Sequence, residues 1–230
     1  MVFQGFQKLT LLDYPGHMAV TLFSAGCNFR CPFCHNALLV TEIPDDPGFT
    51  EEEILSYLEK RKGLLDAVCF TGGEPTLQPE LETFMRKVKE KGYLVKLDTN
   101  GSNPAKLKKL VGEGLVDYAA MDVKNAPARY AETAGLPRMD LAPIEESIRY
   151  LLTRPVDFEF RTTVTEEFHG VDEIRAIGEW IQGAPRYFLQ AFKDSGNLIG
   201  EGLHPVSFAT MEKMKASVEG LVDSVAIRGM

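Results

Sequence analysis

The chain has 230 residues, 44% of them hydrophobic and 25% charged, with a formal net charge of −8. This is the composition of an ordinary globular protein, long enough to form one large α/β domain over residues 1–230. The acidic balance argues against a nucleic-acid partner held through its phosphates, and no apolar run approaches the ~18 residues of a membrane-spanning helix.

Residues 1–16 lack a basic stretch followed by an apolar one, so no secretory signal is read and the cytoplasm is expected. From residue 18 onward, short β-rich runs alternate with segments of 3.6-residue periodicity. In chain order the strands are predicted at 19–23, 67–71, 93–98, 117–122, 158–164, 187–192 and 224–227. The helix after Thr50 opens on a capping box, Thr50 with Glu53. The next runs from Pro79 to Gly92, with proline at its start and glycine at its end. Further helices are predicted at 104–111, 143–152, 171–180 and 207–218.

Six or more βα units imply a parallel sheet. In the fifth predicted strand Asp157, Glu159, Arg161 and Thr163 alternate with Phe158, Phe160, Thr162 and Val164. In the third, Lys96 and Asp98 share a face opposite Val95 and Leu97. One polar face per strand suits a barrel wet inside at one end, whereas a doubly wound sheet buries both faces in apolar contacts. The expected fold is a partial (β/α)6 TIM-type barrel with an N-terminal extension and an extra C-terminal strand, its site at the C-terminal strand ends.

Four cysteines in a reducing compartment are read as thiols, and three fall in the string Cys27-Asn28-Phe29-Arg30-Cys31-Pro32-Phe33-Cys34 after the first predicted strand. Three thiolates on one loop can hold three corners of a 4Fe–4S cubane and leave the fourth iron open. The residues alone leave rivals. A structural zinc site needs a fourth protein ligand from elsewhere. Cys31 through Cys34 and His35 match c-type haem attachment, and Cys31 with Cys34 matches a thioredoxin-like redox pair. Cys69, in an apolar run, reads as a packing residue.

The Cys-x3-Cys-x2-Cys string, with aromatic Phe33 before its last cysteine, resembles the signature of the radical S-adenosylmethionine (SAM) superfamily. After the second predicted strand, Thr71-Gly72-Gly73-Glu74-Pro75 is similar to the superfamily's GGEP motif. Its glycines allow close backbone approach to a ligand, and its carbonyls with the Glu74 carboxylate suit a cationic amino group. Asp98-Thr99-Asn100-Gly101 and Asp122-Val123-Lys124, after the third and fourth strands, resemble motifs of the glycyl-radical-enzyme activases. Asn100-Gly101 reads equally as a plain turn.

The resemblance implies that Asp98, Lys124 and Arg161 touch SAM, and that Asp98, Thr99 and Asp122 help hold a monovalent cation near it. Asn36 completes a Cys-His-Asn string similar to the same activases, and Gln190 stands where the pyruvate formate-lyase activase carries histidine. Leu12-Asp13-Tyr14-Pro15-Gly16 resembles the longer class of anaerobic ribonucleoside-triphosphate reductase activating proteins. There it implies that Asp13 lies by the mouth where the client's glycine loop enters, and Tyr14 joins it as a candidate client contact because their turn directly precedes the strand leading to Cys27; the plain alternative is a turn before the first strand.

The implied activity is reductive cleavage of SAM at the cluster, followed by hydrogen abstraction from a glycine of a glycyl-radical enzyme. The electron comes from an outside donor such as flavodoxin or ferredoxin. Two other readings stand beside it: a radical SAM enzyme acting on a small molecule, and a non-catalytic metal or haem module.

Overall fold

The computed structural model describes residues 1–42 and 48–230. Its strands are β1 (Val2–Phe3), β2 (Gly5–Thr10), β3 (Ala19–Ser24), β4 (Phe49–Thr50), β5 (Ala67–Gly72), β6 (Leu94–Thr99), β7 (Tyr118–Asp122), β8 (Asp157–Val164), β9 (Tyr187–Ala191) and β10 (Val225–Arg228). The helices are α1 (Ala37–Thr41), α2 (Glu51–Lys60), α3 (Leu81–Glu90), α4 (Pro104–Gly112), α5 (Tyr130–Thr133), α6 (Ala142–Leu152), α7 (Val171–Trp180) and α8 (Phe208–Val218). Eight strands form one sheet in the order β2-β3-β5-β6-β7-β8-β9-β10. Only β2 runs antiparallel, against β3; every other pair in that sheet is parallel. No pairing joins β2 to β10 among the described residues, in keeping with a partial barrel.

All seven predicted strands are present, each within a residue or two of its expected ends. Alternation explains why. Val20, Leu22, Val68, Phe70, Val95, Leu97, Phe158 and Phe160 point outward from the barrel and are buried with Ile54, Leu58, Phe84, Val88, Leu107 and Ile148 of the helices. Each such side chain stabilises the fold by roughly 1.5–3 kcal/mol relative to exposure. The capping box of α2 is formed: the Glu53 N–H donates to Thr50 Oγ1 at 3.3 Å, and the Thr50 N–H to Glu53 Oε2 at 2.8 Å. The helix expected from Pro79 begins at Leu81, because Pro79 and Glu80 form the turn that enters it.

The inward faces change character along the strands. Ala19 and Ala67 at the N-terminal ends of their strands, and Ala120 midway along β7, leave room for two rings, Tyr14 and Tyr118, whose centroids lie 5.5 Å apart. Tyr14 is only 5% exposed and plugs this end of the barrel, so the structure makes it a core residue and not the client contact expected of it. Above it, Glu159 is wholly buried, accepting from Tyr118 Oη at 2.7 Å and from both Arg228 guanidinium nitrogens at 2.7 and 3.0 Å. Toward the C-terminal ends the interior opens and becomes ionic. Among the described residues no helix is long and apolar enough to cross a membrane.

Candidate active site

The cysteine string leaves β3 at its C-terminal end and is held to neighbouring loops by its own backbone. The Arg30 N–H donates to the Ala134 carbonyl at 2.8 Å, and the Gly200 N–H donates to the Pro32 carbonyl at 2.8 Å. Before it, the N–H groups of Gly73 and Glu74 donate to the carbonyls of Ser24 and Gly26, both at 2.8 Å. A Cβ on Gly73 would lie 1.9 Å from Gly26 O, and one on Gly72, at φ +109, would lie 2.4 Å from Ser24 O. The two glycines therefore let two protein loops meet, and both line the cavity described below.

The Glu74 carboxylate makes a further link between loops. It is 1% exposed, and all its bonds run to protein: Oε1 accepts from the Thr76 N–H, the Thr76 hydroxyl and the Thr99 hydroxyl, and Oε2 from the Asn100 N–H at 2.7 Å. Burial pushes its pKa up, against the pull of these donors. Glu74 ties the turn after β5 to the turn after β6 and lines the same cavity as the cysteines.

Cys27, Cys31 and Cys34 line one cavity of about 370 Å³ together with Asp98, Asp122, Lys124 and Arg161. Burial pushes all three thiols up, Cys31 to about 12, while Lys124 pulls them down. Among the described residues, no three His, Cys, Asp or Glu side chains converge closely enough to hold a single metal ion. A cubane gives each thiolate its own iron and so suits three more widely set sulfurs. The donor set, three thiols half or fully buried beside one cation, fits such a cluster, since bound iron replaces the protons that burial retains.

Across the cavity runs an ionic ladder. Lys96, 2% exposed, pairs with Asp98; Arg161 Nη1 donates to Asp98 Oδ2 at 3.1 Å and its Nε to Asp122 Oδ1 at 2.9 Å; Lys124 Nζ lies 3.0 Å from Asp122 Oδ2. Burial alone would raise both aspartates, but Arg161 with Lys96 or Lys124 holds each below the ordinary carboxylate range. All four carboxylate oxygens thus face side-chain cations, and the Thr99 hydroxyl donates to Glu74.

The remaining expected residues fall as follows. Gln190 lines the cavity, level with Thr163 on the neighbouring strand. Asn36 Nδ2 donates to the Gly72 carbonyl at 2.8 Å. Phe33 lines the cavity and is buried against Phe168 and His169, fastening the cysteine loop. Cys69 is buried in β5 with its thiol pushed up to about 12, as a packing residue should be. Asp13 lines the cavity and accepts from the Thr21 hydroxyl at 2.5 Å.

Two residues escaped the sequence reading. Asn100 reaches the Cys27 sulfur, and its place in the motif after β6 was the available signal. His169 donates from Nε2 to the Lys124 carbonyl at 2.9 Å and accepts the Thr165 N–H at Nδ1, so it is neutral, with a pKa lowered by burial to about 4. No sequence signal linked it to Lys124.

Comparison with known proteins agrees with this geometry. The radical SAM superfamily profile matches residues 21–166. The chain belongs to the radical SAM superfamily and is a radical SAM enzyme, working with SAM and a 4Fe–4S cluster on three cysteines. More particularly, it is 34% identical over 194 residues to a Methanocaldococcus jannaschii protein assigned as a glycyl-radical enzyme activating enzyme, covering 82% of this chain and 79% of that one. It is 27% identical over 195 residues to the 7-carboxy-7-deazaguanine synthase of Thermococcus kodakarensis, covering 76% and 74%. Streptococcus suis SuiB, solved with SAM bound, shares the fold at a TM-score of 0.69 and 14% identity, over 90% of this chain; the chain spans about half of SuiB, 49%.

Proposed function

We propose that this enzyme generates a glycyl radical on a partner protein, an anaerobic ribonucleoside-triphosphate reductase. The carrying observation is the similarity to a glycyl-radical enzyme activating enzyme over about four fifths of both chains. The motifs after β6 and β7 favour a glycyl-radical enzyme as client, and the resemblance of Leu12–Gly16 favours the reductase among them.

In this reading residues 1–230 act as one radical SAM domain. Cys27, Cys31 and Cys34 would hold the cluster, leaving one iron to SAM. When bound, the cluster supplies the electron, delivered by an outside donor such as flavodoxin or ferredoxin, that cleaves SAM so that its adenosyl part takes a hydrogen atom from the client glycine. The chain's own residues position and shield. Asp98 offers a carboxylate at a strand end, where a ribose diol is commonly held. Arg161 and Lys124 offer cationic donors to the SAM carboxylate. Gly72 and Gly73 carry the backbone that passes beside it, and Asn36 fixes the Gly72 carbonyl. The apolar plug around Tyr14 and Tyr118 closes the far end of the barrel against water. Free cysteines throughout suit a cytoplasmic protein.

A second reading, a small-molecule radical SAM enzyme, is favoured by the similarity to 7-carboxy-7-deazaguanine synthase. One experiment separates the two. Reduced protein is incubated with SAM and each candidate glycyl-radical enzyme encoded nearby, and electron paramagnetic resonance is recorded. A glycyl doublet on one candidate is expected. Its absence from every candidate, with SAM cleavage stimulated by a metabolite instead, would establish the second reading.

A further inference from the structure

The second residue of the turn after β6, Asn100, is buried, and its backbone N–H and both polar atoms of its side chain have partners. Its backbone N–H donates to Glu74 Oε2 at 2.7 Å, and its Oδ1 accepts the Ser102 N–H at 2.9 Å. Its Nδ2 donates to Asn28 Oδ1 at 2.9 Å and lies 3.7 Å from Cys27 Sγ, within hydrogen-bond range of a sulfur. The neighbours fix which way the amide points, because the Ser102 N–H needs an acceptor and Asn28 Oδ1 a donor. Asn28 is held in turn, its Nδ2 donating to Ser102 Oγ at 2.9 Å. Cys27 also accepts the Phe29 N–H at 3.3 Å, and Cys34 is served by the backbone of Asn36. Of these three donors, Asn100 is the one a substitution can remove.

We infer that Asn100 is a positioning residue that tunes the cluster, its side-chain amide donating to the Cys27 sulfur and raising the reduction potential. The inference rests on the proposed placement of the cluster on Cys27, Cys31 and Cys34. An N–H donor stabilises a ligating sulfur most in the reduced, more negative state, and such bonds are among the protein's means of setting cluster potentials. The geometry adds a link. Glu74 holds the Asn100 backbone, so the turn after β5, the turn after β6 and the first cysteine form one connected unit. A residue in the middle of a motif otherwise read as a plain turn acquires a chemical task.

The test uses the full chain, reconstituted anaerobically, titrated redox-chemically without SAM and followed by the paramagnetic signal of the reduced cluster. Asn100→Leu removes the donor at similar volume, and Asn100→Asp replaces it with a negative oxygen. Both should keep four irons and become harder to reduce, Asn100→Leu by about fivefold to tenfold in the reduction equilibrium, a tenfold change being 59 mV for one electron. Asn100→Asp should fall further. A full cluster with the wild-type potential in both variants would overturn the inference. If neither variant loads iron, Asn100→Ser, which keeps a donor, should restore loading; failure there also overturns it. Failure of the underlying reading would look different: wild-type protein without a four-iron cluster, or a normal cluster in Cys27→Ala.

Discussion

Replacing Arg161 by methionine keeps much of its aliphatic volume and removes the charge between two carboxylates. Arg161 is 11% exposed at its side chain and binds Asp98 at 3.1 Å and Asp122 at 2.9 Å. Breaking a buried ion pair from one side costs about 3–5 kcal/mol, because the remaining charge is left without its partner. Here Lys96 still faces Asp98 and Lys124 still faces Asp122, so the lower end, about 3 kcal/mol, is expected. For a chain of this size that lowers the unfolding midpoint by about 6–12 °C.

The pH dependence carries the sharper test. In the native protein both aspartates lie below the ordinary carboxyl value of ~3.9. Their contribution is therefore complete above that value and is lost as pH falls through the folded pKa values. In Arg161→Met burial is no longer outweighed, at least one carboxyl rises above its unfolded value, and the stability gap to wild type should shrink as pH drops from 7 toward 5. Anaerobic thermal unfolding by circular dichroism, at equal iron content, measures it. A gap that stays constant with pH, or stays below about 1 kcal/mol, would refute the ladder as drawn.

Three further outcomes are expected. His169 sits near pH 4 when folded against ~6.5 unfolded, so its contribution is complete above 6.5 and about 3 kcal/mol is lost as pH falls from there to 4; His169→Gln should flatten that part of the stability profile in a denaturant titration series. Gly73→Ala must push its Cβ away from Gly26 O, so it should cost roughly 1–3 kcal/mol and lower the iron content, whereas Gly112→Ala, with open space around its Cβ, should do neither. Tyr14→Ala should destabilise by about 3–5 kcal/mol through loss of the plug, while Asp13→Ala should slow glycyl-radical formation on a proven client and leave uncoupled SAM cleavage nearly unchanged.

The barrel strands were legible because their alternation is strict: Phe158 and Phe160 against Glu159 and Arg161 admit one orientation in a sheet whose outer face is covered by helices. The N-terminal strand β2 was not, because Gly5, Gln7 and Lys8 dilute the pattern on an edge strand, and α1 is only five residues, too short for periodicity to speak. Site residues were legible where a motif puts them on one loop, as with the cysteines. Their partners were not. Nothing in Thr71–Pro75 tells that Glu74 will be met by Thr99 and Asn100, 25 and 26 residues downstream. The ionic ladder was hidden for the same reason: Asp98, Asp122 and Arg161 were each singled out, but only the register of β6, β7 and β8 puts the guanidinium between the two carboxylates.

The most direct measurement is the iron, sulfide and SAM-cleavage content of four single variants, reconstituted anaerobically beside wild type. Wild type should carry about four irons and four sulfides. Cys27→Ala, Cys31→Ala and Cys34→Ala should each lose SAM cleavage, and Cys69→Ala should keep both cluster and cleavage. Full SAM cleavage in Cys27→Ala, or its loss in Cys69→Ala with the fold intact, would contradict the placement of the cluster on which the account stands.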